Sequence, residues 1–129
     1  MRSRSVKILV IDEHKEDRVA LRRRLTEADD KIRVFEAGGG ETALDWFRAV
    51  QPDCVVMDLQ LKDLVGMEVL NRIFIAMSKQ PVPIFIWTRL NQDLVRATAS
   101  SFGIRGYFHK DDVNDNALVA AIQDAMIDR

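Results

Sequence analysis

Short apolar runs recur along this chain, and a helical stripe follows each of them. Val6 to Ile11 (VKILVI), Asp53 to Met57 and Ile84 to Trp87 (IFIW) are β-branched and nearly unbroken, the signature of strands buried on both faces. Ile32 to Glu36 (IRVFE) alternates and is shorter, which predicts an edge strand. Gly106 to His109 predicts a short fifth strand. Helical stripes fall at about Lys15 to Glu27 (Leu21, Leu25, Ala28) and in the segment after Gly38-Gly39-Gly40 (Ala43, Leu44, Phe47, Val50). Two more lie at about Met67 to Met77 (Val69, Leu70, Ile73 and Ala76 or Met77) and about Gln92 to Ser101. The last spans about Asn114 to Ile127 (Leu118, Ala121, Ile122, Ala125), with Asp112 or Asn114 as its N-cap. Pro52 closes the second helix, while Pro81 and Pro83 bracket the turn before the fourth strand.

Strict alternation of strand and helix implies an α/β fold with one parallel sheet and helices on both faces. Right-handed crossovers leave few topologies. The order 2-1-3-4-5, that of the flavodoxin-like three-layer sandwich, puts the short polar second strand at an edge. At 129 residues, 47% hydrophobic and 30% charged, the chain suits one globular domain spanning 1–129, with residues 1–5 as a frayed basic tail. The formal net charge of -1 gives no case for nucleic-acid binding. No apolar stretch approaches the ~20 residues that span a bilayer. One cysteine, Cys54, lies in a buried run, and a reducing cytoplasm fits.

The strand ends carry the chemistry. Strand 1 ends at Asp12-Glu13, strand 3 at Asp58, strand 4 at Thr88 and strand 5 at Lys110. In open α/β sheets the ligand crevice lies outside these carboxyl ends, at the switch point between strands 1 and 3. Asp58 alone is most simply the start of a loop; four strand ends in agreement reverse that reading. Three clustered carboxylates repel one another, so a cation belongs among them, and hard oxygen donors suit Mg²⁺. Lys110 can pair with Asp58 or with a phosphoryl oxygen, and Thr88 offers a hydroxyl donor. Such a set is equipped to attack phosphorus and hold an acyl phosphate.

With these residues in place, the chain resembles the receiver domain of two-component response regulators over about Val6 to Ile127. The acidic pair falls on Asp12-Glu13, the phosphoacceptor on Asp58, the hydroxyl residue on Thr88 and the lysine on Lys110. The switch aromatic, three residues before the lysine, falls on Tyr107, and a glycine eight residues after the acceptor falls on Gly66. The resemblance implies Mg²⁺ held by Glu13, Asp58 and the main-chain carbonyl of Gln60, with Asp12 acting partly through water. It implies a phosphodonor, either a histidine kinase or a histidine phosphotransfer protein. It also implies an output through the helix 4–strand 5–helix 5 face, to a separate protein, a linked effector domain or a second copy in a homodimer. No membrane or nucleic-acid contact is expected of this domain.

Four positions depart from the family pattern. Glu13 replaces the usual Asp, Asp111 follows the lysine where Pro is usual, Lys62 stands where Pro is common, and Arg89 follows Thr88 where a small residue is usual. Arg89 has two readings: a side chain in solvent or paired with a carboxylate such as Asp93, or a shield over the pocket. His14 and His109 flank the site without metal-ligand spacing. Trp46 and Trp87 read as packing residues. Arg22-Arg23-Arg24 reads as a solvated helix face or a docking surface. Two other functions compete with the signalling switch: a small Mg²⁺-dependent phosphohydrolase with an aspartyl nucleophile, and a degenerate receiver that binds partners without phosphorylation. A cap or second general acid would favour the first and is not seen; Glu13 and Arg89 are all that favours the second.

Overall fold

A computed structural model describes residues 4–77, 81–99, 102–112 and 116–127. Strand and helix alternate in the order β1 (Val6–Ile11), α1 (Lys15–Ala28), β2 (Ile32–Ala37), α2 (Gly40–Val50), β3 (Cys54–Met57), α3 (Gly66–Ala76), β4 (Ile84–Thr88), α4 (Gln92–Ala99), β5 (Gly106–His109) and α5 (Asn116–Ile127). The five strands form one parallel sheet in the order β2-β1-β3-β4-β5. The alternating sequence therefore folds as expected, with β2 at an edge and β1 beside β3.

Because successive strand residues face opposite ways, each strand feeds two cores. Leu9, Ile11, Val55, Met57, Ile84 and Ile86 pack with Leu44, Phe47, Leu70 and Ile73 of α2 and α3. Ile8, Val10, Cys54, Val56, Phe85 and Trp87 pack with Leu21 and Leu25 of α1 and Leu118 and Ile122 of α5. Full burial of side chains of this size contributes roughly 1.5–3 kcal/mol each, which outweighs the modest helix propensities of the outer layers. Two stripe residues fall elsewhere: Ala28 and Ala76 are exposed, and Met77 rather than Ala76 packs inward. Of the two N-cap candidates for α5, Asn114 lies outside the described residues. Among the described residues, no helix is long and apolar enough to cross a membrane.

The chain keeps hydrogen-bonding past the strand ends. Asp12 N–H donates to Ala37 O and Asp58 N–H to Ile11 O, both at 2.9 Å. Their side chains are thus fixed by the sheet rather than carried on loose loops. At Gly66 a Cβ would lie 2.2 Å from the carbonyl oxygen of Leu59, so only glycine lets α3 start this close to the loop that leaves Asp58.

Candidate functional site

Among the described residues, Asp12, Asp58 and Thr88 are the buried polar ones, each at most 1% exposed. The Asp58 carboxylate is held from three sides. Thr88 Oγ1 donates to its Oδ1 at 2.6 Å, and the Gln60 N–H donates to the same oxygen at 3.0 Å. Lys110 Nζ donates to Oδ2 at 2.8 Å. Strand pairing sets this geometry, because Met57 lies beside both Ile11 and Ile86, which puts the three strand ends level.

Lys110 is the hub. Its side chain is 1% exposed, and its ammonium lies 2.6 Å from Asp12 Oδ2, 2.9 Å from Asp17 Oδ2 and 2.8 Å from Asp58 Oδ2. It also stands 5.2 Å from the centre of the Trp87 ring, within cation–π range. Burial pulls its pKa down, but the hydrogen bonds to Asp12, Asp58 and Asp17 outweigh burial and raise it above the ordinary lysine value. Lys110 is therefore a fixed positive charge.

The carboxylates outnumber that charge. Glu13 Oε2 is buried without a hydrogen-bond partner, as a ligand atom awaiting a cation would be. Ligand atoms of Asp12, His14 and Asp58 lie within 4.8 Å of one another. The donor set fits a small divalent cation with Asp12 and Asp58 at its centre, and Glu13 lies beside that cluster rather than in it. The His14 ring was not legible as part of the site. Its Nδ1 lies 3.1 Å from Asp12 Oδ1, the oxygen that also accepts the His14 N–H at 2.9 Å.

The sequence reading also missed Asp17. This residue lies in the first turn of α1, and its carboxylate reaches both Lys110 and Arg89. Burial raises its pKa, yet the hydrogen bonds from Arg89 and Lys110 outweigh burial and bring it below the usual carboxylate value. The only signal was position, since the first turn of α1 starts at the rim.

Arg89 pairs with Asp17 and Asp111, not with Asp93. Its Nη1 lies 3.1 Å from Asp17 Oδ2 and its Nε 3.2 Å from Asp111 Oδ1. These bonds, that to Asp17 first, raise the guanidinium pKa still further. The peptide bonds of the described residues are all trans, that between Lys110 and Asp111 included. His109 Nε2 lies 3.1 Å from Arg89 O and its Nδ1 accepts from the Asp111 N–H at 3.1 Å, so His109 stands outside the group of Asp12, His14 and Asp58.

Tyr107, on β5, is partly buried. Its hydroxyl pKa is raised by that burial, against the opposing charge of Arg96. The Arg96 guanidinium of α4 lies 4.8 Å over its ring, a contact the sequence did not suggest. The arginine run of α1 is only partly solvated: Arg22 pairs with Glu36, and the Arg24 guanidinium lies 5.8 Å from the Trp87 ring centre. Trp46 packs on Phe35 at 5.3 Å, and Trp87 is buried, as expected of packing residues.

Comparison with known proteins agrees with this geometry. The family model of the response regulator receiver domain matches residues 8–123. The transcriptional regulatory protein YdfI of Bacillus subtilis is 30% identical over 105 residues, covering 81% of this chain and 48% of that protein. Among solved structures, a LuxR-family two-component response regulator from Aurantimonas is 31% identical with a TM-score of 0.80, covering 97% of this chain and 87% of the other. The response regulator TrrA of Thermotoga maritima, solved in complex with Mg²⁺ and BeF, is 25% identical with a TM-score of 0.79, covering 93% and 98%. The chain spans about half the length, or less, of the first curated relatives it matches. On a family match that runs through nearly the whole sheet and its rim, the chain belongs to the response regulator receiver domain family.

Proposed function

We infer that this receiver domain is a phosphorylation-driven switch whose phosphoacceptor is Asp58. The observation that carries the reading is one buried carboxylate held by a hydroxyl, a main-chain N–H and an ammonium, inside a cluster with too many negative charges. An Asp58 oxygen attacks phosphorus of a phosphohistidine on a histidine kinase or phosphotransfer protein. The new O–P bond forms as the P–N bond breaks, and the imidazole leaves with its electron pair and takes up a proton. Asp12, Glu13, Asp58 and the main-chain carbonyl of Gln60 would hold Mg²⁺, which when bound neutralises phosphoryl charge. Lys110 supplies a fixed positive charge to a phosphoryl oxygen. Thr88 turns its hydroxyl from Asp58 to the new oxyanion.

That turn opens the route to output. Thr88 ends β4, and Tyr107 sits beside Ile86 on β5. Movement of Thr88 changes the space available to the Tyr107 ring, which leans on Arg96 of α4. The surface of α4, β5 and α5 then shifts population toward a partner-binding state. The partner is a linked effector domain, a separate output protein or a second copy of this chain.

Intact-mass analysis after incubation with Mg²⁺ and acetyl phosphate tests the assignment. One added phosphoryl group is expected, and Asp58→Asn should abolish it with the fold intact. An unmodified wild type, or equal modification of Asp58→Asn, rules Asp58 out. Thr88→Ala and Tyr107→Ala should still accept phosphate but lose phosphorylation-dependent partner binding or dimerisation. Full retention of that response by either variant removes its switch role.

A further inference from the structure

Asp17 joins two cations that no reading of the strand ends brings together. Its Oδ2 accepts from Lys110 Nζ at 2.9 Å and from Arg89 Nη1 at 3.1 Å, and its Oδ1 lies 3.4 Å from Arg89 Nη2. Arg89 is thus forked onto Asp17, while its Nε donates to Asp111 at 3.2 Å. The result is a continuous strap from α1, through the loop after β4, to the turn after β5. Asp58 lies one contact inside it, on the far side of Lys110. Asp17 and Arg89, with His14, Lys15 and Glu16, also line an open cleft of about 340 Å³.

We propose that Asp17 is a positioning residue that seats Arg89 as a strap at the rim of the phosphoacceptor pocket and shares Lys110 with Asp58 until a phosphoryl group draws the ammonium away from Asp17. The proposal rests on the reading of Asp58 as phosphoacceptor. An exposed ion pair alone is weak, but this one is forked and tied to a buried ammonium. A phosphoryl dianion on Asp58 competes with Asp17 for Lys110. Arg89 keeps its two carboxylates, so the strap stays closed while the acyl phosphate exists. Donor and hydrolytic water both need in-line approach to phosphorus. A strap that limits approach therefore slows gain and loss of phosphate together. A residue with a purely structural role would change stability without moving both rates the same way.

The test uses a Trp46→Phe background, which leaves Trp87 as the single tryptophan and reporter, 5.2 Å from Lys110 Nζ. Rates of phosphorylation by acetyl phosphate and of phosphate loss are followed by intact mass in saturating Mg²⁺. Asp17→Asn and Arg89→Ala should each speed both rates, by about five-fold, the factor that goes with about 1 kcal/mol. The double variant should be no faster than either single one, because one strap is removed either way. Asp111→Asn, at an exposed outer anchor, should move both rates the same way by less. Asp17→Asn should also shift Trp87 emission with no phosphodonor present. Unchanged rates, rates that move in opposite directions or multiplying effects in the double variant overturn the strap. Unshifted emission overturns the hold of Asp17 on Lys110. Failure of the wild type to take phosphate instead removes the reading of Asp58, and the emission still decides whether Asp17 positions Lys110.

Discussion

Two cation–carboxylate clusters flank α1, and their proportions are opposite. At the rim, Lys110 faces Asp12, Asp17 and Asp58 with its side chain almost wholly enclosed. At the sheet edge, Arg18 and Arg22 share the single carboxylate of Glu36, and the Arg22 side chain is 45% exposed. Arg18, 15% exposed, also donates to the Asp12 carbonyl oxygen at 2.6 Å, and water screens the charge of Arg22. The walls of the sheet deny that screening to the surplus negative charge at the rim, where only another cation can supply it. Equal-looking ion pairs therefore have unequal consequences: the inner cluster stores a demand for a ligand, and the outer one fastens β2 and the end of β1 to α1.

Breaking the inner cluster should have the largest effect. Lys110→Met leaves Asp12 and Asp58 facing each other without their cation, a loss of ~3–5 kcal/mol by analogy with other broken buried pairs. Mg²⁺ should recover more stability in this variant than in the wild type, because it meets a larger charge deficit. Urea denaturation with and without Mg²⁺ measures both quantities, and equal Mg²⁺ effects would remove the charge-demand account. Thr88→Ala comes next. It takes away a 2.6 Å bond to the Asp58 carboxylate, worth about 2 kcal/mol. A change under ~0.5 kcal/mol in the same assay would show that the bond adds nothing to the stability of the fold.

Between the two clusters in size stands the cap on α2. Asp63, in the loop after β3, accepts from Gly40 N–H at 2.8 Å and Glu41 N–H at 3.1 Å. Asp63→Ala should cost about 1 kcal/mol. Those main-chain donors hold the Asp63 pKa below its ordinary 3.8. A depressed carboxylate stabilises the fold above its unfolded value and loses that contribution as pH falls through its folded value. The stability gap between wild type and Asp63→Ala should thus hold above pH 3.8 and narrow below it. A gap that persists in acid would assign the effect to packing. Smallest of all, Glu36→Gln should change stability by less than ~1 kcal/mol, and added salt should erase the difference. A larger, salt-independent loss would put the edge cluster in the same class as the rim.

The sheet was readable because strand burial writes itself as runs of Val, Ile and Leu, and helix burial as a period near 3.6. The candidate site was readable wherever one of its residues ends a strand, because topology alone brings Asp12, Asp58, Thr88 and Lys110 to one rim. Residues that arrive from helices were not. Asp17 and Arg96 each sit on a helix face whose rotation against the sheet depends on packing, and neither interrupts an apolar run. Arg89 was singled out as a departure, but Asp93 was its suggested partner since it is near in sequence. The actual partners are 72 and 22 residues away. Sequence proximity is a poor guide for long, flexible side chains.

The contact at Gly66 sets a mechanical condition on the rim. With α3 starting almost against the Leu59 carbonyl, no side-chain layer separates the loop from the helix, so the segment leaving Asp58 has a hard backstop. Loops cushioned by side chains can absorb a new ligand by repacking. This one cannot retreat in that direction, so displacement caused by an added group must be taken up on the opposite bank, at Thr88 and the turns that follow β4 and β5. The stiffness of one corner thereby selects which corner can move.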